Sequence, residues 1–311
     1  MKKIKIGIIG PGNHFQKKIL PALKKIKNVK ILYILRKNKN RFLTFDTTNK
    51  SKIFFKNKFD FVYISSIPST HEKYLNLCIK NNFNIICEKP IITNLKKTKF
   101  ILKKIREKNL FIFETFSYIF NKSFIKLNNL LKGKEIKYIH SSFHFPFLKN
   151  NNFRYKSKEG GFFLDSAVYP ISLETFLLEN QIKTIKNLNT NTKFKKNIPI
   201  NGTIEYDYLD QKRVFTWGTG LAYKNFLKIK LKDSIIFYKK IYTKTKDERI
   251  KILIRKNKKK KEILFKYYDQ FELMFEYIFK NYKKYKIKSM FNQQILTNNQ
   301  FLIKIMKEIK N

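Results

Sequence analysis

The stretch Ile4-Lys5-Ile6-Gly7-Ile8-Ile9-Gly10-Pro11-Gly12-Asn13-His14-Phe15 decides the fold. Its β-branched beginning reads as a strand from Ile4 to Ile9, its glycines as a tight turn, and the amphipathic run from Phe15 to Ile26 as the helix that follows. Gly10 permits the turn, and Gly12 lets the main chain approach a pyrophosphate, whose charge the helix N-terminus favours. A full GxGxxG or GxGxxA fingerprint would need a small residue where Phe15 stands, so a merely structural turn remains the competing reading. The position between a first strand and a first helix favours nucleotide binding.

Outward from this turn the same rhythm continues. Short β-branched runs at Lys30–Leu35, Lys52–Phe55, Phe61–Ser65, Asn84–Cys87 and Leu110–Glu114 alternate with helical periods at Thr70–Asn81 and Leu95–Lys108, and Ser69-x-x-Glu72 reads as a capping box. The pattern predicts an α/β domain over residues 1–118, a doubly wound parallel sheet of Rossmann type. After residue 120 the rhythm changes to a helix at Ser123–Leu131, a strand at Lys134–Phe145 and a helix at Gly161–Leu178. Strands then follow at Gly202–Tyr208, Arg213–Gly218, Phe226–Leu231, Ile235–Tyr238, Ile250–Arg255 and Glu262–Phe265, and helices near Asp269–Tyr282 and Gln293–Ile309 close the chain. Residues 119–311 are thus expected to form an α+β domain with a mostly antiparallel sheet. No internal repeat is visible.

The chain has 311 residues, 43% of them apolar and 16% aromatic, which excludes a disordered, purely solvating polymer. It carries 68 Lys+Arg against 22 Asp+Glu, a formal charge of +46 that invites a nucleic-acid reading. Only seven of these cations are arginine, the residue suited to bidentate base and phosphate contacts, and the lysines are spread over nearly every segment. Compositional drift toward Lys, Asn, Ile and Phe therefore outweighs a selected nucleic-acid surface. The run Lys258–Lys261 reads as a solvated hairpin turn rather than a phosphate patch. Cys78 and Cys87 have neither metal-knuckle nor CxxC spacing, and no apolar run is long enough for a membrane helix or a signal peptide, so a reduced, cytoplasmic protein is expected. No His, Cys and acid cluster has metal-ligand spacing, and no metal is expected.

Where an NAD-binding unit usually has an acid at the end of its second strand, this chain has Arg36 and Lys37. A guanidinium there favours a 2′-phosphate, hence NADP(H), with NAD as the alternative. The fourth strand runs out into Ser65-Ser66-Ile67-Pro68-Ser69-Thr70-His71 and the fifth into Cys87-Glu88-Lys89-Pro90, both at carboxyl ends of parallel strands, where such sheets bind ligands.

Together Gly10-x-Gly12, Pro68-Ser69-Thr70-His71 and Glu88-Lys89-Pro90 resemble the Gfo/Idh/MocA family of oxidoreductases. The stretch Gly160-Gly161-Phe162-Phe163-Leu164-Asp165-Ser166-Ala167-Val168-Tyr169-Pro170 resembles that family's second-domain signature, with Glu159 where a further glycine is common. Trp217-Gly218-Thr219-Gly220, Tyr223-Lys224-Asn225 and Asp269-Gln270-Phe271 extend the likeness through the last third. Tyr169 in place of His, Glu114 after Phe111-Ile112-Phe113, and Asn152-Phe153-Arg154-Tyr155 resemble the branch with dihydrodiol dehydrogenase and nucleotide-sugar ketoreductases.

The resemblance implies hydride transfer between nicotinamide and a carbonyl or hydroxyl of a sugar or nucleotide-sugar. Lys89, Asp165 and Tyr169 would be the catalytic residues, Lys89 or Tyr169 carrying the proton and Asp165 orienting its neighbours. Asp165 and Tyr169, four apart on one predicted helix, would share a face. Gly10, Gly12, Asn13, His14, Arg36, Lys37, Ser66, Ile67, His71, Glu88 and Lys89 would line the cofactor site, and Arg154 and Tyr155 would contact the substrate. His71 also has a structural reading, and a nucleotide-binding sensor or scaffold without catalysis is the competing function. A homodimer or homotetramer is expected from the resemblance, through the open face of the second sheet.

Overall fold

The computed structural model describes residues 3–37, 44–148, 152–155, 161–177, 184–220, 222–243 and 249–310. Glu159, Gly160 and Leu178, named above, lie outside the described residues. The chain forms two compact units, one of Met1–Thr115 with Phe271–Asn299, the other of Phe116–Gln270 with Gln300–Asn311. The first therefore ends at Thr115 and also takes in a stretch near the C-terminus that the sequence reading placed in the second.

The first unit holds a parallel sheet in the order β3-β2-β1-β4-β5-β6. Its strands are β1 Ile4–Ile9, β2 Val29–Leu35, β3 Thr47–Thr48, β4 Phe61–Ile64, β5 Asn84–Cys87 and β6 Ile112–Glu114. This is the doubly wound Rossmann arrangement, with strand order reversing beside β1. Its helices are α1 Leu20–Lys25, α2 Ser51–Phe55, α3 His71–Lys80 and α4 Leu95–Glu107. The central strands are buried on both faces, which is why they read as continuous apolar runs.

Two local expectations fail here. Lys52–Phe55 is not a strand but part of α2, because only Phe54 is buried while Ile53 is 41% exposed, so the apolar run supplies one inward face. Phe54 packs so closely on β1 that a Cβ at Gly7 would lie 2.7 Å from its ring. The helix start is also displaced by one residue from the expected capping position, Ser69, which lies inside a short turn. A 3-10 turn, Pro68–Thr70, precedes α3, whose N-cap Thr70 makes no side-chain cap, while Glu72 pairs with Lys97 at 2.7 Å.

The second unit holds an eight-stranded sheet in the order β14-β13-β12-β11-β7-β10-β9-β8. Its strands are β7 Ile136–Phe145, β8 Ile185–Lys195, β9 Ile198–Tyr208, β10 Gln211–Thr219, β11 Lys224–Leu231, β12 Ser234–Lys239, β13 Ile250–Lys256 and β14 Lys259–Phe265. Every neighbouring pair is antiparallel except β10 with β7. Strand β8 was not expected from the sequence. It is an edge strand rich in Asn, Thr and Lys, a composition that blunts edges but hides the strand signal. The lysine run is also only partly a turn, since Asn257 and Lys258 make the hairpin and Lys259–Lys261 belong to β14. Helices α5 Lys122–Leu131 and α6 Val168–Leu177 belong to this unit, and a π turn, Phe163–Ala167, leads into α6.

The last helices are α7 Gln270–Asn281 and α8 Tyr285–Lys310. Phe279, Tyr282 and Phe291 pack on Phe61 and Phe111, which explains why this stretch belongs to the first unit. The final turns of α8 join the second, where Phe301 meets Tyr206 and Phe215. Among the described residues no helix is long and apolar enough to cross a membrane.

Candidate functional site

In the first unit the site residues gather at the carboxyl ends of β1, β2, β4 and β5. The Gly10 amide donates to the Leu35 carbonyl at 2.8 Å, so the glycine turn and the end of β2 are tied together and Arg36 follows directly beside the turn. Gly10 has φ +66, and a Cβ there would lie 2.6 Å from Ser66 Cβ, so the turn is closed against the loop after β4. Gly12 is the opposite case. A Cβ there meets no atom of the described residues within 4 Å, which leaves open space over the backbone that leads into the helix. Phe15 is fully buried and faces Tyr63 at 6.0 Å, and the helix opens with a π turn, Phe15–Ile19, before α1.

Among the remaining cofactor candidates, Asn13 and Lys37 are exposed, Arg36 is half-buried, and Ile67 is an exposed apolar side chain in the loop after β4. The His14 ring lies 5.6 Å from that of Phe271, with Nε2 3.8 Å from Glu88 Oε1. Glu88 is otherwise engaged inward, accepting from Tyr63 Oη at 2.5 Å and Thr115 Oγ1 at 2.9 Å. Burial raises the Tyr63 phenol pKa well above its usual value, and the Glu88 carboxylate adds to the effect. The phenol therefore stays protonated and donates.

His71 is not at the sheet surface but fully buried, with Nδ1 2.9 Å from the Pro90 carbonyl and Nε2 3.0 Å from the Ser66 carbonyl. It joins the loop after β4 to the turn after β5. Burial lowers its pKa, while the two carbonyls pull the other way. Lys89 is half-buried and precedes a cis peptide bond to Pro90.

In the second unit Asp165 lies in the π turn and Tyr169 at the start of α6, so the regular helix expected across both is broken between them. Arg154 Nε donates to Asp165 Oδ2 at 2.7 Å, and Nη1 donates to Asn152 Oδ1 at 3.2 Å. Tyr155, expected at the substrate, donates its hydroxyl to the Leu148 carbonyl and sets its ring against Phe162. Tyr169 sits among the rings of Phe143 at 4.8 Å, Tyr242 at 5.6 Å, Phe116 at 5.9 Å and Tyr118 at 6.4 Å. Asn225, from a stretch the resemblance included, donates to the Thr243 carbonyl and accepts from the Tyr242 amide, fixing one wall of that box.

Sequence reasoning gave no role to Asn298 and Asn299 of α8, nor a contact to Glu114. Glu114, buried at the end of β6, accepts from the Ile91 amide at 2.9 Å and from Asn298 Nδ2 at 3.3 Å. Burial raises its pKa to about 7, against the opposing effects of those two donors and of Lys89.

A parallel sheet with an open glycine turn at its switch point, followed by an α+β unit, defines a dinucleotide-binding protein of two domains. Residues 4–116 match the Gfo/Idh/MocA model, described as an oxidoreductase family with an NAD-binding Rossmann fold. An oxidoreductase P35 of Formosa agariphila is 23% identical over 241 residues, 68% of this chain and 75% of that protein. The trans-1,2-dihydrobenzene-1,2-diol dehydrogenase of Xenopus laevis is 26% identical over 125 residues, but these span only 39% of this chain and 38% of that enzyme. Among solved structures, KijD10, a 3-ketoreductase from Actinomadura kijaniata crystallised with NADP and TDP-benzene, superposes with a TM-score of 0.91. It is 16% identical, over 99% of this chain and 98% of that one.

Proposed function

We propose that this protein is an NADP(H)-dependent oxidoreductase that moves a hydride between the nicotinamide and a carbonyl or hydroxyl carbon of a sugar or nucleotide-sugar. The observation that carries the reading is the open space over Gly12, at the helix start in the turn tied to the residue before Arg36, where no atom of the described residues meets an added Cβ. A pyrophosphate fits that space, and the Arg36 guanidinium suits a 2′-phosphate in a charge-assisted, bidentate contact. Bound there, the cofactor supplies the hydride; everything else falls to the chain's own side chains.

We assign Lys89, Asp165 and Tyr169 to the reacting groups. In the reducing direction the carbonyl carbon gains the hydride and its oxygen gains a proton from the Tyr169 hydroxyl or the Lys89 ammonium. Lys89 also offers a positive charge to the oxygen as negative charge builds on it. Asp165, held by Arg154 at 2.7 Å, keeps a fixed carboxylate next to the substrate rather than a mobile one. The sugar-nucleotide substrate draws support from relatives such as the dTDP-sugar 3-reductase of Saccharopolyspora spinosa, 20% identical over 214 residues. Self-association through the open face of the second sheet belongs to the same proposal.

The test is fluorescence titration with NADPH and NADH, followed by NADPH oxidation with dTDP-ketosugars. Arg36→Ala should weaken NADPH by about 10- to 100-fold and leave NADH within about twofold, as expected for loss of a charge-assisted contact. Lys89→Ala should abolish turnover while both cofactors still bind. Binding without turnover in the wild type would sink the catalytic reading.

A further inference from the structure

Buried polar side chains hold the turn that follows β5. Three consecutive residues each give a main-chain group to a buried side chain from a different element. The Pro90 carbonyl faces His71 Nδ1 at 2.9 Å, the Ile91 amide donates to Glu114 Oε1 at 2.9 Å, and the Ile92 carbonyl accepts from Asn299 Nδ2 at 2.5 Å. None of the three side chains is more than 6% exposed. Asn298 Nδ2 completes the set by donating to Glu114 Oε2 at 3.3 Å. On the other side of Lys89, the Glu88 amide donates to the Ile64 carbonyl at 2.9 Å.

Pro90, Ile91 and Ile92 are themselves buried, so their main-chain groups need partners there, and polar side chains as buried as these are costly unless they serve such a purpose. Here the side-chain pairing goes to the three residues that directly follow Lys89, while the main-chain bond of Glu88 holds the residue before it. A directed amine needs a fixed Cα, because an error of about 1 Å at a reacting group costs up to about 100-fold in rate. We propose that Glu114, with His71 and Asn299, is a positioning residue that fixes the direction in which Lys89 presents its ammonium group. This rests on the reading of Lys89 as a reacting residue. It also draws α8 into the site, since both asparagines come from that helix.

Glu114 offers two acceptor oxygens to two donors, the Ile91 amide and the Asn298 amide group. Glu114→Gln keeps the shape but replaces one acceptor by a donor, and adding Asn298→Asp restores the match with polarity reversed. The experiment uses the full chain at pH 8. It measures amide exchange at residues 89–92, NADPH affinity, and kcat and KM for NADPH oxidation with a dTDP-ketosugar. Glu114→Gln should speed Ile91 exchange and lower kcat, each about tenfold, while NADPH affinity and KM stay within about twofold. The double variant should recover most of the kcat. Asn299→Ala, which leaves the carboxyl in place, should show the same split and serves if Glu114→Gln does not fold.

Unchanged Ile91 exchange with unchanged kcat overturns the proposal. So does a kcat loss that simply follows a loss of NADPH affinity. If the wild type itself does not oxidise NADPH, the oxidoreductase reading fails on its own, and Ile91 exchange alone then decides whether the turn is clamped.

Discussion

Glu114 makes the stability of the first unit depend on pH in the direction opposite to most carboxylates. Burial raises its pKa from 4.5 to about 7, the Ile91 amide, Asn298 and Lys89 only partly opposing it. The folded protein therefore binds this proton more tightly than the unfolded chain. The resulting stabilisation is fully present below about pH 4.5, falls as pH rises, and is lost above about pH 7. The rise from 4.5 to about 7 corresponds to about 3 kcal/mol across that window. The neighbouring Cys87 thiol is itself pushed upward by burial and stays neutral throughout. Glu114→Gln cannot ionise, so its stability relative to the wild type should rise by about 3 kcal/mol between pH 4.5 and pH 8. Any constant difference from the lost acceptor leaves that slope unaltered. Urea unfolding of both proteins at half-unit steps of pH measures it, and a difference that stays flat across the window would refute the reasoning.

Two further substitutions separate what the protein needs from what a ligand needs. Gly10→Ala forces a side chain onto φ +66 with its Cβ 2.6 Å from Ser66, and should cost at least about 1–2 kcal/mol in stability. Gly12→Ala adds a Cβ that meets no atom of the described residues within 4 Å, so its melting temperature should match the wild type while NADPH binding weakens more than about tenfold. In the second unit, Arg213→Met leaves the fully buried Glu174 without the guanidinium that meets it at 3.0 Å, and should cost about 3–5 kcal/mol. Adding Glu174→Leu should recover most of that in urea unfolding, since an uncompensated charge rather than lost packing carries the penalty.

Much of this architecture was legible because the physics was local. A β-branched run ending in Gly-Pro-Gly and leading into an amphipathic helix leaves little freedom, and β1 lies where the run lies. Failures came where neighbours decide. Lys52–Phe55 is apolar enough for a strand, yet one phenylalanine against Gly7 suffices to anchor a helical turn. Strand β8 is polar on both faces and exists because β9 pairs with it. The amphipathic pattern of α7 and α8 says that each has a buried face, but not that Phe279, Tyr282 and Phe291 meet Phe61 and Phe111. The cofactor turn and the Lys89 turn were readable as motifs, whereas their support was not. A signal for it was present in α8, where Phe291, Ile295, Asn298, Asn299 and Leu302 form one buried stripe with two amides in its middle. Amides on an apolar stripe must find partners, and these find Glu114 and the Ile92 carbonyl.

The same distinction bears on the net charge of +46. Lysines such as Lys97, Lys104 and Lys256 pair with Glu72, Glu107 and Asp233 at the surface. Exposed pairs of this kind are worth at most about 1 kcal/mol each and weaken with salt. Arginine is rare in this chain, and while Arg106, Arg249 and Arg255 are exposed, three others are placed differently: Arg213 is buried on Glu174, Arg154 holds Asp165, and Arg36 stands beside the glycine turn. A residue used against the compositional bias, and held where its geometry matters, carries more information than the abundant one that shares its charge. The surplus of lysine then requires no anionic partner, and the positions where charge has a chemical role reduce to a few cations whose surroundings the fold specifies.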